Sequence, residues 1–145
     1  MSAEERRFYV PPEGAPQGIT PDPLIYQQMG EDQIYKMLED FYLELEKSSI
    51  RSMFPQDMRE ASRRSAAFFV FILGGPPIYQ QLYGPPMMRR RHMPFVIDEE
   101  ARQVWLSCFR TVLREADKKY HFPMEYMEGF WRFLDQFSAW MVNTK

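Results

Sequence analysis

The chemistry open to this chain depends on two histidines, His92 and His121. His92 follows three consecutive arginines, and methionine and proline stand on both sides of this basic run in the segment 86–95. His121 stands between two predicted helices, where we expect a surface or turn residue. The sequence contains no HExxH pair, no phosphate-binding or dinucleotide glycine loop and no nucleophile elbow. The single cysteine, Cys108, excludes an internal disulfide and a cysteine-cluster metal site.

Two interpretations of His92 are open at this point. In the first, the segment is a basic surface patch with an incidental histidine. In the second, one neutral imidazole is the axial ligand of an iron cofactor, and the neighbouring arginines pair with acidic groups of that cofactor, as haem would require. Aromatic residues make up 16% of the chain and 11 residues are methionine. This composition suits a domain that lines a bulky apolar cavity, but it is also that of an ordinary aromatic helical core.

The charge and hydropathy of the chain exclude several classes of partner. The formal net charge of −2 argues against a nucleic-acid binder. The longest apolar stretch, residues 66–73, is too short to span a bilayer, and we expect no membrane partner. The first residues hold no apolar signal core. We therefore expect a protein of the cytoplasm.

The chain divides into a tail and a helical body. Residues 1–23 contain five prolines and form an N-terminal extension that cannot keep a helix. Residues 24–145 form the predicted domain. Helical periodicity is found after Gly30, from about residue 56 to 73, from Asp98 and from about Pro123, with a short helical piece near 87–92. Residues 76–87 are expected to be irregular. No segment alternates with period two, so the predicted fold class is all-α, with five or six helices.

Several separate stretches resemble one family, the group II truncated haemoglobins. They are the run 74–79, the run 89–95, Trp105, the pairs Phe41-Tyr42 and Phe54-Pro55, and the ending 139–144. The anchors occur in the family's order over about residues 24–145. The resemblance implies a shortened globin, in which a two-over-two helical sandwich surrounds haem b, that is, iron protoporphyrin IX.

The resemblance also implies a role for individual residues. His92 matches the proximal iron ligand, and Tyr42 and Trp105 match the distal pocket in which a small ligand binds. Ala61 matches the distal gate, and Ser65, one turn further along, faces the ligand. The remaining cofactor contacts implied are Arg91 and Tyr79 on the propionates and Met88, Phe54 and Phe95 on the haem faces.

The two distal donors predict how such a protein would behave. A phenol and an indole each donate a hydrogen bond worth about 1.5–3 kcal/mol to a charge-bearing ligand atom. Two such bonds slow O2 release by about two to four orders of magnitude. We therefore expect binding of O2, CO or NO at ferrous iron, suited to sensing, scavenging or redox chemistry rather than to simple oxygen transport.

Two alternatives remain open beside this prediction. One is a haem enzyme, an NO dioxygenase or a peroxidase-like catalyst, which would need an external reductase because no reductase domain is attached. The other is a helical interaction domain without a cofactor. Residue types do not separate a monomer from a homodimer, and they identify no catalytic residue.

Overall fold

The computed structural model describes residues 9–16 and 20–145, and these ranges contain helices but no strand. Residues 1–8 and 17–19 of the predicted extension lie outside the described residues. The described chain has eight α-helices: α1 (Leu24–Met29), α2 (Glu31–Glu46), α3 (Met58–Ile72), α4 (Ile78–Tyr83), α5 (Met88–His92), α6 (Glu99–Val112), α7 (Ala116–Tyr120) and α8 (Met127–Met141). Two 3₁₀ turns, Arg51–Met53 and Met124–Tyr126, complete it.

The helix ends agree with local chemistry at several predicted positions. Gly30, with φ of 81°, ends α1 and leads directly into α2. The Asp98 side chain accepts a hydrogen bond of 2.8 Å from the amide of Ala101 and so caps α6, as predicted. Asp57 caps α3 in the same way, through the amide of Glu60 at 3.1 Å.

The structure corrects the prediction for residues 76–87, since helix α4 occupies six of them. Pro77 precedes α4 and Gly84, with φ of 84°, ends it. A short helix therefore fits between two helix breakers, where the breakers themselves had suggested an irregular stretch. The last helix begins at Met127 rather than near Pro123, because a 3₁₀ turn stands between them. Together with α7, these short elements raise the helix count above the five or six expected.

The core is a stack of aromatic rings between the long helices. Helix α2 packs against α3 and α6, and α6 packs against α8. Phe41 of α2 stacks on Phe109 of α6 with 3.7 Å between ring centroids. Phe69 of α3 and Phe130 of α8 lie edge-on to each other at 6.2 Å. Much of the aromatic composition therefore belongs to ordinary core packing.

Two glycines are needed where α3 ends against the start of the domain. Gly74 has φ of 108°, and a Cβ there would lie 2.5 Å from the carbonyl oxygen of Pro23. A Cβ on Gly75 would lie 2.7 Å from the ring of Tyr26. Any larger side chain would force α1 away from α3. Among the described residues, no helix has the length and apolar character needed to cross a membrane.

Candidate functional site

Helix α5 positions His92 at its last residue. The imidazole is half-buried, and its Nδ1 lies 2.6 Å from the carbonyl oxygen of Met88. This bond places the ring proton on Nδ1 and leaves the lone pair of Nε2 for a metal, which is the usual arrangement of a histidine ligand. Burial lowers the pKa of His92, so the ring favours the neutral form that binds iron.

The surroundings of the imidazole fit a large apolar group. The ring of Phe95 lies 6.3 Å from that of His92, and its side chain is 41% exposed. Met87, at the start of α5, is 53% exposed. A flat apolar cofactor next to the imidazole would bury this surface, which is stabilising in proportion to its area. The donor set, a neutral imidazole beside arginines, also suits haem with its two carboxylates. The residues present therefore fit the group.

Arg91 holds the loop between α4 and α5. Its guanidinium donates to the carbonyl oxygens of Pro86 at 2.6 Å, Pro85 at 2.8 Å and Tyr83 at 3.0 Å. It also lies 5.3 Å from the ring centroid of Tyr79, which is only 2% exposed. Arg91 and Tyr79 are thus brought together, as the resemblance implied, although their contact with propionates remains a prediction.

Two of the predicted distal residues, Tyr42 and Trp105, each contact the core ring of Phe41. Tyr42 of α2 and Trp105 of α6 flank Phe41, at ring distances of 5.6 and 5.5 Å. The ring of Phe54 lies 5.8 Å from that of Tyr42. Burial raises the pKa of the Tyr42 phenol by more than the neighbouring Ser65 hydroxyl lowers it, which keeps the phenol protonated.

Ala61 and Ser65 are both half-buried on helix α3. They are four residues apart, so they lie on the same face of the helix. Met88 packs against the main hydrophobic core and also against a second hydrophobic cluster formed by Ile97, Met141 and Val142.

Two polar residues near His92 were missed by sequence reasoning. Arg89 donates to the carbonyls of Trp140, Val142 and Tyr9, so it binds the chain termini rather than an acidic group. Asn143 donates to the carbonyl of His92 itself. No sequence signal separates Arg89 from the exposed Arg90, because the partners of Arg89 are backbone carbonyls.

Cys108 is a buried residue of helix α6. Cys108 is 8% exposed, and burial raises the pKa of its thiol. Within the ranges that the structure describes, no three side chains of His, Cys, Asp or Glu are grouped to hold a metal ion.

Comparison with known proteins identifies the family. The family model of bacterial-like globins matches residues 24–143. A group 2 truncated hemoglobin of Bacillus subtilis (strain 168), YjbI, is 35% identical over 89 residues, which are 61% of this chain and 67% of that protein.

Solved structures share the fold. The phosphate-bound crystal structure of Hell's gate globin IV superposes with a TM-score of 0.80 at 37% identity, over 88% of this chain and 79% of that chain. A truncated oxygen-avid haemoglobin from Bacillus subtilis superposes with a TM-score of 0.73 at 32% identity, over 84% of this chain and 99% of that chain. The all-α, two-over-two globin fold is thereby confirmed. The chain belongs to the bacterial-like globin family and is a group II truncated haemoglobin, a haem globin that binds small diatomic ligands.

Proposed function

We propose that this globin holds haem b through His92 and releases O2 slowly because Tyr42 and Trp105 donate hydrogen bonds to the ligand. The observation that carries the proposal is the bond of 2.6 Å between His92 Nδ1 and the carbonyl of Met88. Since that bond occupies Nδ1, Nε2 keeps the lone pair that iron requires. Haem held in this way would supply the ferrous iron that binds O2, CO or NO.

The distal residues act as donors to a ligand that carries partial negative charge. Burial of Tyr42 keeps its phenol protonated, so the hydroxyl is available as a donor. The indole N–H of Trp105 can only donate. Each bond slows release by at least about tenfold, because such bonds are worth about 1.5–3 kcal/mol. A relative at 32% identity is described as oxygen-avid, which supports slow release here.

The other predicted contacts complete the proposed cofactor site. Phe54 and Phe95 pack against the faces of the porphyrin together with Met88, and the small side chain of Ala61 leaves the distal entry open. Arg91 has an exposed guanidinium, which exchanges loop carbonyls for a propionate, and Tyr79 lies beneath it. A guanidinium suits a carboxylate, because it presents two parallel N–H donors to the two carboxylate oxygens.

Slow release favours sensing, scavenging or redox chemistry over oxygen transport. A redox function would need an external reductase. We further propose that residues 24–145 form the globin domain and that residues 1–23 extend it. Location in the cytoplasm, and assembly as a monomer or homodimer, stay predictions from the sequence.

The test compares His92→Ala with His121→Ala. His121 is exposed, so its replacement is a matched control for the loss of one imidazole. Both proteins are reconstituted with hemin, reduced, and their absorption spectra recorded with and without CO. We expect His121→Ala to match the wild-type protein and His92→Ala to lose stoichiometric haem retention. A His92→Ala protein with the wild-type spectrum would overturn the assignment.

A further inference from the structure

The segment that follows α8 contains a fully buried carboxamide that the proposed ligand chemistry does not use. Asn143 is 0% exposed, and the only other buried polar residues in the described ranges are Ser62 and Ser138. Burying an amide is strongly unfavourable unless its donors and acceptors are hydrogen-bonded. The partners of Asn143 therefore show what the residue does.

Those partners lie mainly in the loop that begins at the proximal histidine. The Asn143 Nδ2 donates to the carbonyl of Phe95 at 3.0 Å and to that of His92 at 3.3 Å. Its Oδ1 accepts from the amide of Ile97 at 3.0 Å and from the hydroxyl of Thr144 at 3.1 Å. The carboxamide thus uses both donors and both lone pairs. The backbone amide of Asn143 also donates to the carbonyl of Ile97, at 2.9 Å.

Helix α5 needs such support from outside. It has five residues and no side-chain cap. The residue before it, Met87, has a φ of 41°, in the left-handed region. A helix this short is not stable by itself, and its last carbonyls lack partners within the helix. Asn143 supplies a second partner for the carbonyl of His92, which also accepts from the backbone amide of Phe95 at 3.0 Å. Arg89 binds α5 to the same C-terminal segment through the carbonyl of Val142, at 2.8 Å.

We propose that Asn143 is a positioning residue for the proximal imidazole, because its carboxamide clamps the carbonyls of His92 and Phe95 to the C-terminal segment. The inference rests on the proposed function in that His92 is taken as the iron ligand. The clamp determines the direction of the imidazole relative to the haem plane. Its loss leaves α5 free to tilt, so the bond between imidazole and iron becomes heterogeneous and weaker on average.

The experiment compares Asn143→Leu and Asn143→Asp with a control, Ser138→Ala. The leucine removes all side-chain bonds at similar volume, while the aspartate keeps an acceptor for Ile97 but turns an oxygen toward the two carbonyls. Ser138 is also buried on the C-terminal side, but its hydroxyl bonds Arg102 and the carbonyl of Asp135, away from α5. Resonance Raman spectra of the reduced haem proteins give the iron–histidine stretching band. Transfer of hemin to an acceptor globin gives its rate of loss, and thermal melting gives stability.

We expect both Asn143 variants to show a shifted and broadened iron–histidine band and hemin loss faster by about tenfold, as for one lost buried bond. Ser138→Ala lowers the melting temperature without changing the band. If Asn143→Leu does not fold, Asn143→Asp decides the outcome. An unchanged band and an unchanged rate of hemin loss in a folded Asn143 variant overturn the inference. If the band is absent in the wild-type protein, or survives in His92→Ala, the proposed function fails instead, and the inference with it.

Discussion

Replacing Tyr42 by phenylalanine isolates one distal hydrogen bond. The ring of Tyr42 packs edge-on against Phe41 at 5.6 Å and against Phe54 at 5.8 Å. Phenylalanine keeps both contacts and removes only the hydroxyl, so the pocket should retain its shape. Any change in ligand release then reports the hydroxyl itself.

The expected size of the effect follows from the setting of that hydroxyl. Burial raises the pKa of the Tyr42 phenol, so the group stays a protonated donor at neutral pH. A bond to a charge-bearing acceptor is worth about 1.5–3 kcal/mol, so O2 release should accelerate by about 10- to 150-fold.

Stopped-flow mixing of the oxygenated protein with excess CO measures the release rate directly. Ser65→Ala is the matched control, because it removes a neighbouring hydroxyl and leaves that of Tyr42 in place. We expect release from Ser65→Ala to stay much closer to the wild-type rate than release from Tyr42→Phe. A Tyr42→Phe protein that releases O2 within about twofold of the wild-type rate would refute the hydrogen-bonding argument, since such a change is below the value of any such bond.

Three other substitutions test neighbouring parts of the structure. Trp105→Leu should also accelerate O2 release or autoxidation, measured by the same mixing experiment and by the decay of the oxygenated spectrum; unaltered rates would remove Trp105 from the donor pair. Ala61→Leu should slow CO association after flash photolysis, and an unchanged rate would exclude a gate at this position. Tyr120→Phe should lower the free energy of unfolding by about 1.5–3 kcal/mol in urea titrations, because the hydroxyl donates to Asp40 at 2.6 Å. Burial and Asp40 raise the pKa of Tyr120, so above its ordinary value of 10.0 the unfolded chain loses this proton first. Wild-type stability should then fall with rising pH and approach that of Tyr120→Phe; a constant difference between the two proteins across this range would contradict the assignment.

Local sequence chemistry predicted the elements that carry the site. The short helical piece before Pro94 was expected near 87–92 and is found as Met88–His92. The aspartate predicted to cap α6 does so, and α6 in turn carries Trp105. These features were predictable because a cap or a helix breaker acts on residues within one turn of it.

Other features could not be read from the residues in order. In the sequence, the three arginines before His92 are equivalent members of one run of positive charge. In the structure, Arg89 donates to carbonyls at the end of α8 and Arg91 donates to carbonyls of the loop before α5, whereas Arg90 is exposed. The partners of Arg89 and Arg91 are backbone carbonyls, which every residue type supplies, so the sequence contains no pattern that distinguishes the arginines. Helix α4 was not predicted, because the prolines and the glycine around it usually break helices.

Helical periodicity in the amino-acid sequence was sufficient for the all-α class, because it is a property of short segments. The globin family and the role of His92 as the iron ligand followed from the resemblance of several separate stretches to one family. Folding determined how that ligand is held. Asn143 lies 51 residues from His92 along the chain, and its carboxamide reaches the carbonyl of His92 only because the C-terminal segment packs beside α5. Contacts between residues so far apart in the chain depend on how the helices pack. A buried polar group must find a hydrogen-bond partner, but the sequence does not show which backbone carbonyl that partner will be.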